Sequence, residues 1–167
     1  TDGNTYFWSF GDGDTSSLIH PSHSYDTTGV YTVELITYSS FNCTDTSSAT
    51  ITVNRNPIAQ FEADTACFSY FSNFTDSSIY NPTSWKWHFG DGDSSSVQNP
   101  SHLYPKDTVF ITRLVVTTIH GCVDEVSKPV IVKPNPVAGF TQMEGCAKSF
   151  TFFTDTSLGS PSSWKWF

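Results

Sequence analysis

The 167 residues include 16 acidic and 8 basic side chains, a formal charge of −8 with no basic stripe, which argues against a nucleic-acid partner. No stretch is long and apolar enough to span a bilayer, and no leader peptide is visible. Aromatic residues make up 16% of the chain and charged residues 14%, so there is much to bury and little charge to oppose folding. Abundant Ser and Thr without helical periodicity read as an all-β chain of the secreted kind.

Tyr6, Trp8 and Phe10 alternate with Thr5, Phe7 and Ser9, the period of a strand. The strand runs into Gly11-Asp12-Gly13-Asp14, predicting a tight hairpin turn in which Gly supplies the positive φ. His20-Pro21-Ser22-His23-Ser24-Tyr25 is irregular, because Pro cannot donate to a ladder. A strong strand is predicted over Val30–Tyr38, with Tyr31, Val33 and Leu35 on one face. Ser39 to Asn42 reads as a loop and Ala49–Val53 as a closing strand. Asn54-Arg55-Asn56-Pro57 is a short stiff joint. Strands are then predicted over Ile58–Phe61 and Tyr70–Thr75, with Trp85, Trp87 and Phe89 on a third.

The pattern is a repeat. The differences 87 − 8 and 166 − 87 for Trp8, Trp87 and Trp166 are both 79, and the same offset relates Pro57 to Pro136, His23 to His102, Cys43 to Cys122 and Cys67 to Cys146. An uninterrupted period fixes architecture before any local feature does. It divides the chain into the back part of one unit (1–56), a complete unit (57–135) and the front part of a third (136–167). Ends that fall mid-repeat predict a window on a longer array. About seven short strands per unit predict an antiparallel sandwich.

Trp87-His88-Phe89-Gly90-Asp91-Gly92, then Asn99-Pro100-Ser101-His102-Leu103-Tyr104, then Gly29-Val30-Tyr31-Thr32-Val33-Glu34-Leu35 in the first unit, resemble the PKD (polycystic kidney disease) domain. The resemblance covers the whole chain and implies tandem immunoglobulin-like β-sandwiches. Arrays with Asn-Cys or Gly-Cys before the last strand are similar to those of large secreted surface proteins of Bacteroidota, gliding adhesins among them. Thr108 stands where the first unit has Gly29, which predicts a changed turn without a change of fold.

In such a sandwich Trp8, Phe10, Trp87 and Phe89 are expected in the core, with Trp85 nearer its margin, and not as a sugar platform. His23 and His102, with Tyr25, Tyr104 and Tyr31, are expected to be structural. Asp12, Asp14, Asp91 and Asp93 are weak calcium candidates. Calcium-binding PKD domains use an Asp-x-Asp-Gly segment before the Trp strand, and here Ser77-Ser78-Ile79-Tyr80-Asn81-Pro82 offers no carboxylate. No cofactor is expected. The five histidines are too scattered for a metal cluster, and no nucleophile–base arrangement suggests an enzyme.

Two in-phase cysteines per unit in a secreted-type chain imply disulfides. In the implied sandwich Cys67 and Cys122 fall at opposite ends, so Cys43, Cys67, Cys122 and Cys146 are expected to join successive repeats. A Cys67–Cys122 bond within one unit stays open as the alternative. Phe7, Phe71, Phe150 and Phe152 are expected to face outward, as candidate lateral contacts. Thr27, Thr65 and Thr108 lie in Asp-Thr-small or apolar triplets that resemble Bacteroidota O-glycosylation motifs. Asn42-Cys43-Thr44 and Asn73-Phe74-Thr75 are formal N-glycosylation sequons.

The resulting expectation is a non-catalytic stalk or shaft of rigid end-to-end repeats in an extracellular surface protein, an adhesin or filament. Its partners would be neighbouring repeats, like chains in a filament, and a polysaccharide, host or substratum surface reached by a distal domain. No membrane insertion is expected in this segment. The alternative is a carbohydrate- or protein-binding module.

Overall fold

The computed structural model describes residues 5–159 and 161–166. Among the described residues there is no helix, and hence none long and apolar enough to cross a membrane. The chain divides into two compact units, Thr1–Asn56 and Pro57–Phe167.

In the first unit, strands β1 (Thr5–Ser9), β2 (Thr15–Ser16), β3 (Gly29–Tyr38) and β4 (Thr44–Val53) form one antiparallel sheet in the order β2-β1-β3-β4. Tyr31, Val33 and Leu35 share the half-buried face of β3. β4 begins five residues before the predicted closing strand. Its Thr44–Ser48 half holds only Thr, Asp and Ser, so no alternation of apolar residues announces it. Pairing starts there because the loop closes on itself. Ser39 N donates to Cys43 O at 2.9 Å, and Asn42 takes a φ of 61°. β-Branched Thr then carries the ladder.

The second unit holds β5 (Phe61–Ala63), β6 (Ala66–Cys67), β7 (Ser72–Asp76), β8 (Pro82–His88), β9 (Ser94–Ser95), β10 (Ser101–His102), β11 (Val109–Thr118) and β12 (Val123–Lys133). They make two sheets, β10-β7-β5 and β6-β12-β11-β8-β9, antiparallel except where β6 runs parallel to β12. The two sheets bury Phe61 and Phe74 from one side against Trp87, Leu114, Val116, Val130 and Val132 from the other. Burial of this size, about 25 cal/mol per Å² of apolar surface, drives the sandwich together. The strand predicted from Ile58 is reduced to a single bridge with Ile79. Side chains take the neighbouring backbone donors instead: Ala59 N reaches Asp124 Oδ2 at 2.8 Å and Gln60 N reaches Ser78 Oγ at 3.1 Å.

Beyond them β13 (Phe140–Gln142) and β14 (Phe153–Asp155) pair as β5 and β7 do. The period holds in the registers: Trp8 opposes Leu35 as Trp87 opposes Leu114, and the Ile58–Ile79 bridge returns as Val137–Leu158. Phe140, Phe153 and Trp166 cluster as their counterparts do, yet are 53%, 56% and 57% exposed where Phe61, Phe74 and Trp87 are at most 2%. The side chains that cover the complete core come from β11 and β12, and among the described residues no strand takes their place over these three rings. The apolar depression around these three rings is therefore an uncovered core face. Phe167 lies outside the described residues.

Two local expectations are corrected. The Gly-Asp-Gly-Asp connection is wider than a two-residue hairpin, since the ladder ends at His88↔Ser94 and five residues lie between. Thr108 needs no special turn, because the Gly29 that it replaces is not at positive φ. Its carbonyl accepts from Val132 N at 3.0 Å, which closes the start of β11.

Candidate functional site

The loop after the Trp strand is tied at three points. Phe89 N donates to Asp93 O at 3.1 Å, Asp93 N donates to Asp91 Oδ1 at 3.1 Å, and His102 Nε2 meets Asp91 Oδ2 at 2.6 Å. His102 lies flat on Phe89, and Tyr104 meets the imidazole edge-on at 4.6 Å. Tyr104 Oη donates to Phe89 O at 3.3 Å and pairs with Thr112 Oγ1 at 2.7 Å. The first unit repeats the latch, with His23 Nε2 at 2.6 Å from Asp12 Oδ2, Phe10 stacked on His23, and Tyr25 Oη donating to Phe10 O at 3.0 Å. Tyr25 stacks on Tyr31 as Tyr104 stacks on Phe110.

Burial works to raise the Asp91 carboxyl, but the hydrogen bonds from His102 and from Asp93 N outweigh it and leave it below the ordinary carboxylate range. Asp91, Asp93 and His102 lie close together, as do Asp12, Asp14 and His23. Two carboxylates and an imidazole do not make the six-to-eight-oxygen shell of calcium, and both Asp91 oxygens already accept. The arrangement fits a latch between two loops.

A second knot went unread in the sequence. Asp76 Oδ2 accepts from Trp85 Nε1 at 2.8 Å and from Gln98 Nε2 at 3.0 Å, Oδ1 accepts from Ser78 N, and Asp76 N donates to Asn99 Oδ1 at 2.8 Å. Burial again acts to raise this carboxyl, and the bonds from Ser78, Gln98 and Trp85 together lower it. Its signal was the periodic return of Asp76 at Asp155, a carboxylate held at a fixed offset from the Trp pair.

Trp87 is fully buried with Nε1 donating to Val97 O at 2.9 Å, and Trp8, half-buried, donates to Leu18 O at 3.0 Å. Trp85 packs at the core margin. Phe7, Phe71, Phe150 and Phe152 are exposed, as are Thr27, Thr65 and Thr108. Thr27 Oγ1 is engaged by Tyr31 Oη at 2.7 Å, and the Asn73 side chain is held by Asp64 and Ser101. No two of the four cysteines are bonded to one another. Cys67 pairs with Lys133 at the trailing end of β12, and Cys122 immediately precedes its first residue. Eleven residue steps at about 3.3 Å put them roughly 36 Å apart, far beyond the ~7 Å Cα limit for a disulfide.

The sequence model of the PKD domain matches residues 1–53 and again 54–133. The chain belongs to the PKD domain family. Its latch therefore recurs within tandem PKD repeats, each an immunoglobulin-like sandwich or part of one. Over 53 residues it is 40% identical to the collagenase ColA of Bacillus cereus, a match spanning 32% of this chain and 6% of that enzyme. The PKD1 domain of Vibrio anguillarum Epp is similar at 26% identity and a TM-score of 0.47, covering 50% of this chain and all of that domain. The PKD1 domain of the Vibrio cholerae metalloprotease PrtV is similar at 26% identity and 0.44, covering 47% of this chain and 98% of that domain.

Proposed function

We propose that these PKD repeats are a non-catalytic spacer, the stalk or shaft of a large extracellular surface protein such as an adhesin or filament. The observation that carries this reading is the fate of the signature residues. In the complete repeat Trp87, Phe89, His102 and Tyr104 are all consumed by the core and the latch, which leaves them unable to stack on a sugar ring or perform chemistry. Short proline-containing joints, Asn54-Arg55-Asn56-Pro57 and Lys133-Pro134-Asn135-Pro136, favour stiffness over free tethering. Nearest-neighbour contacts then add stability along such a rod. The charge of −8 discourages like shafts from sticking. The extracellular setting is supported by family membership and by the collagenase and metalloprotease that carry similar modules.

In-register deletion of whole 79-residue repeats from the parent protein tests the proposal. A spacer shortens the surface appendage in proportion and leaves its attachment specificity intact. Loss of specific glycan or protein binding without proportional shortening would make the repeats binding modules instead.

A further inference from the structure

The four cysteines fall into two structural types, each with its own turn repeated in two units. Cys67 opens a turn in which Tyr70 N donates to Cys67 O at 3.1 Å, and Cys146 opens the same turn with Ser149 N at 3.0 Å. Ser69 and Lys148 take the same left-handed φ, 71° and 70°. Cys122 closes a hairpin tip in which Thr118 N donates to Cys122 O and Thr118 Oγ1 accepts from Cys122 N. Cys43 closes its tip through Ser39 in the same way.

Each type carries large apolar residues that its own repeat leaves uncovered. Tyr70 and Phe71, beside Cys67, are 67% and 61% exposed, while Phe41 and Ile119, at the hairpin tips, are 88% and 80% exposed. A depression of about 610 Å³ lies against the first type, lined by Asp64, Thr65, Cys67, Tyr70, Phe71 and Pro136. It opens at the trailing end of the repeat, beside Lys133. The hairpin tip sits at the leading end, where Asp124, two residues past Cys122, holds Ala59 N.

We propose that the depression beside Cys67 seats the β-hairpin tip of the following repeat, whose apolar tip residue packs on Tyr70 and Phe71 while its cysteine forms a disulfide with Cys67. The inference rests on the array reading and names the contact that makes its joints stiff. Both halves of the contact lie on one complete repeat, at opposite ends, as an end-to-end joint between like repeats requires. Lys133 and Ala138, the counterpart of Ala59, are five residue steps apart, a span of at most about 18 Å. The short link holds the two thiols at high effective concentration.

Closure needs an external disulfide oxidant. One cysteine thiolate attacks it and expels a thiolate, and the second cysteine attacks the mixed disulfide and expels the other. The two protein thiols give up two protons and two electrons, and the oxidant leaves as two thiols.

Two variants of the whole chain test the seat, one keeping only Cys67 and Cys146 (C43S/C122S) and one keeping only Cys43 and Cys122 (C67S/C146S). Each is incubated alone and in equimolar mixture in a glutathione redox buffer, with melting curves to verify that both remain folded. The expected result is at least tenfold more disulfide-linked dimer in the mixture than in either variant alone, with Cys67 joined to Cys122 or Cys43 by peptide mapping. Adding Tyr70→Ser and Phe71→Ser to the first variant should remove that excess. Equal cross-linking in all three samples, or none, would overturn the seat. So would free thiols throughout the oxidised parent protein. A freely bending parent whose joints nevertheless map as Cys67-type to hairpin-type disulfides would count against the rigid shaft and uphold the seat.

Discussion

His102 lies flat against Phe89, with ring centroids 4.0 Å apart and planes 3° from parallel. That stacking presents Nε2 edge-on to Asp91, so one imidazole joins the core to the loop that follows the Trp strand. The two partners are 9% and 5% exposed. Breaking such a pair leaves a buried polar group without its partner. His102→Ala should therefore destabilise the complete repeat by about 3 kcal/mol in urea unfolding followed by tryptophan fluorescence. The matching His23→Ala, in a more exposed latch, should cost less.

Gly90 and Gly92 both take positive φ, 89° and 112°, but their surroundings differ. A Cβ on Gly90 would stand 2.5 Å from the Ile111 carbonyl oxygen, whereas one on Gly92 meets nothing within 4 Å. Gly92→Ala should cost about 1 kcal/mol of backbone strain, and Gly90→Ala about 3 kcal/mol or more, because β11 must also move. Equal melting-temperature losses would mean that the close approach does not matter.

Trp87 is fully buried between the sheets, edge-on to Phe61 at 5.1 Å. Trp87→Ala should lose about 3–5 kcal/mol. A glycan array probed with the wild-type chain should show no Trp87-dependent signal.

Asp91 and Asp76 both carry carboxyls lowered from their ordinary value. A group depressed in the folded state contributes stability above its unfolded pKa, and that contribution is lost as pH falls through the folded value. The melting temperature should hold from neutral pH down to about 5 and fall below about 4. Asp91→Asn should lower the neutral-pH plateau and make the acid limb shallower. An unchanged acid limb would show that the latch carboxylate is not linked to folding.

The period of 79 and the Trp-x-Phe alternation make the sandwich, its core tryptophan and the separation of the two cysteine types legible in the sequence. Apolar alternation reports a strand only where apolar residues are present. The Thr44–Ser48 half of β4 holds only Thr, Asp and Ser and gives no such signal. The Gly-Asp-Gly-Asp loop read as tighter than it is, because positive φ marks a turn without fixing its length. Asp76 was passed over because a lone Asp before a Ser-rich loop looks like turn chemistry. Only the fold brings Trp85, Gln98 and Ser78 to it.

The most direct measurement is electron cryo-microscopy of the parent protein on intact cells, before and after treatment with a thiol reductant. A strand of eleven residues sets a sandwich length of roughly 40 Å. The shaft reading predicts straight thin fibres beaded at about that spacing, which bend more once reduced. Short, freely bent tethers that reductant leaves unaltered would contradict it.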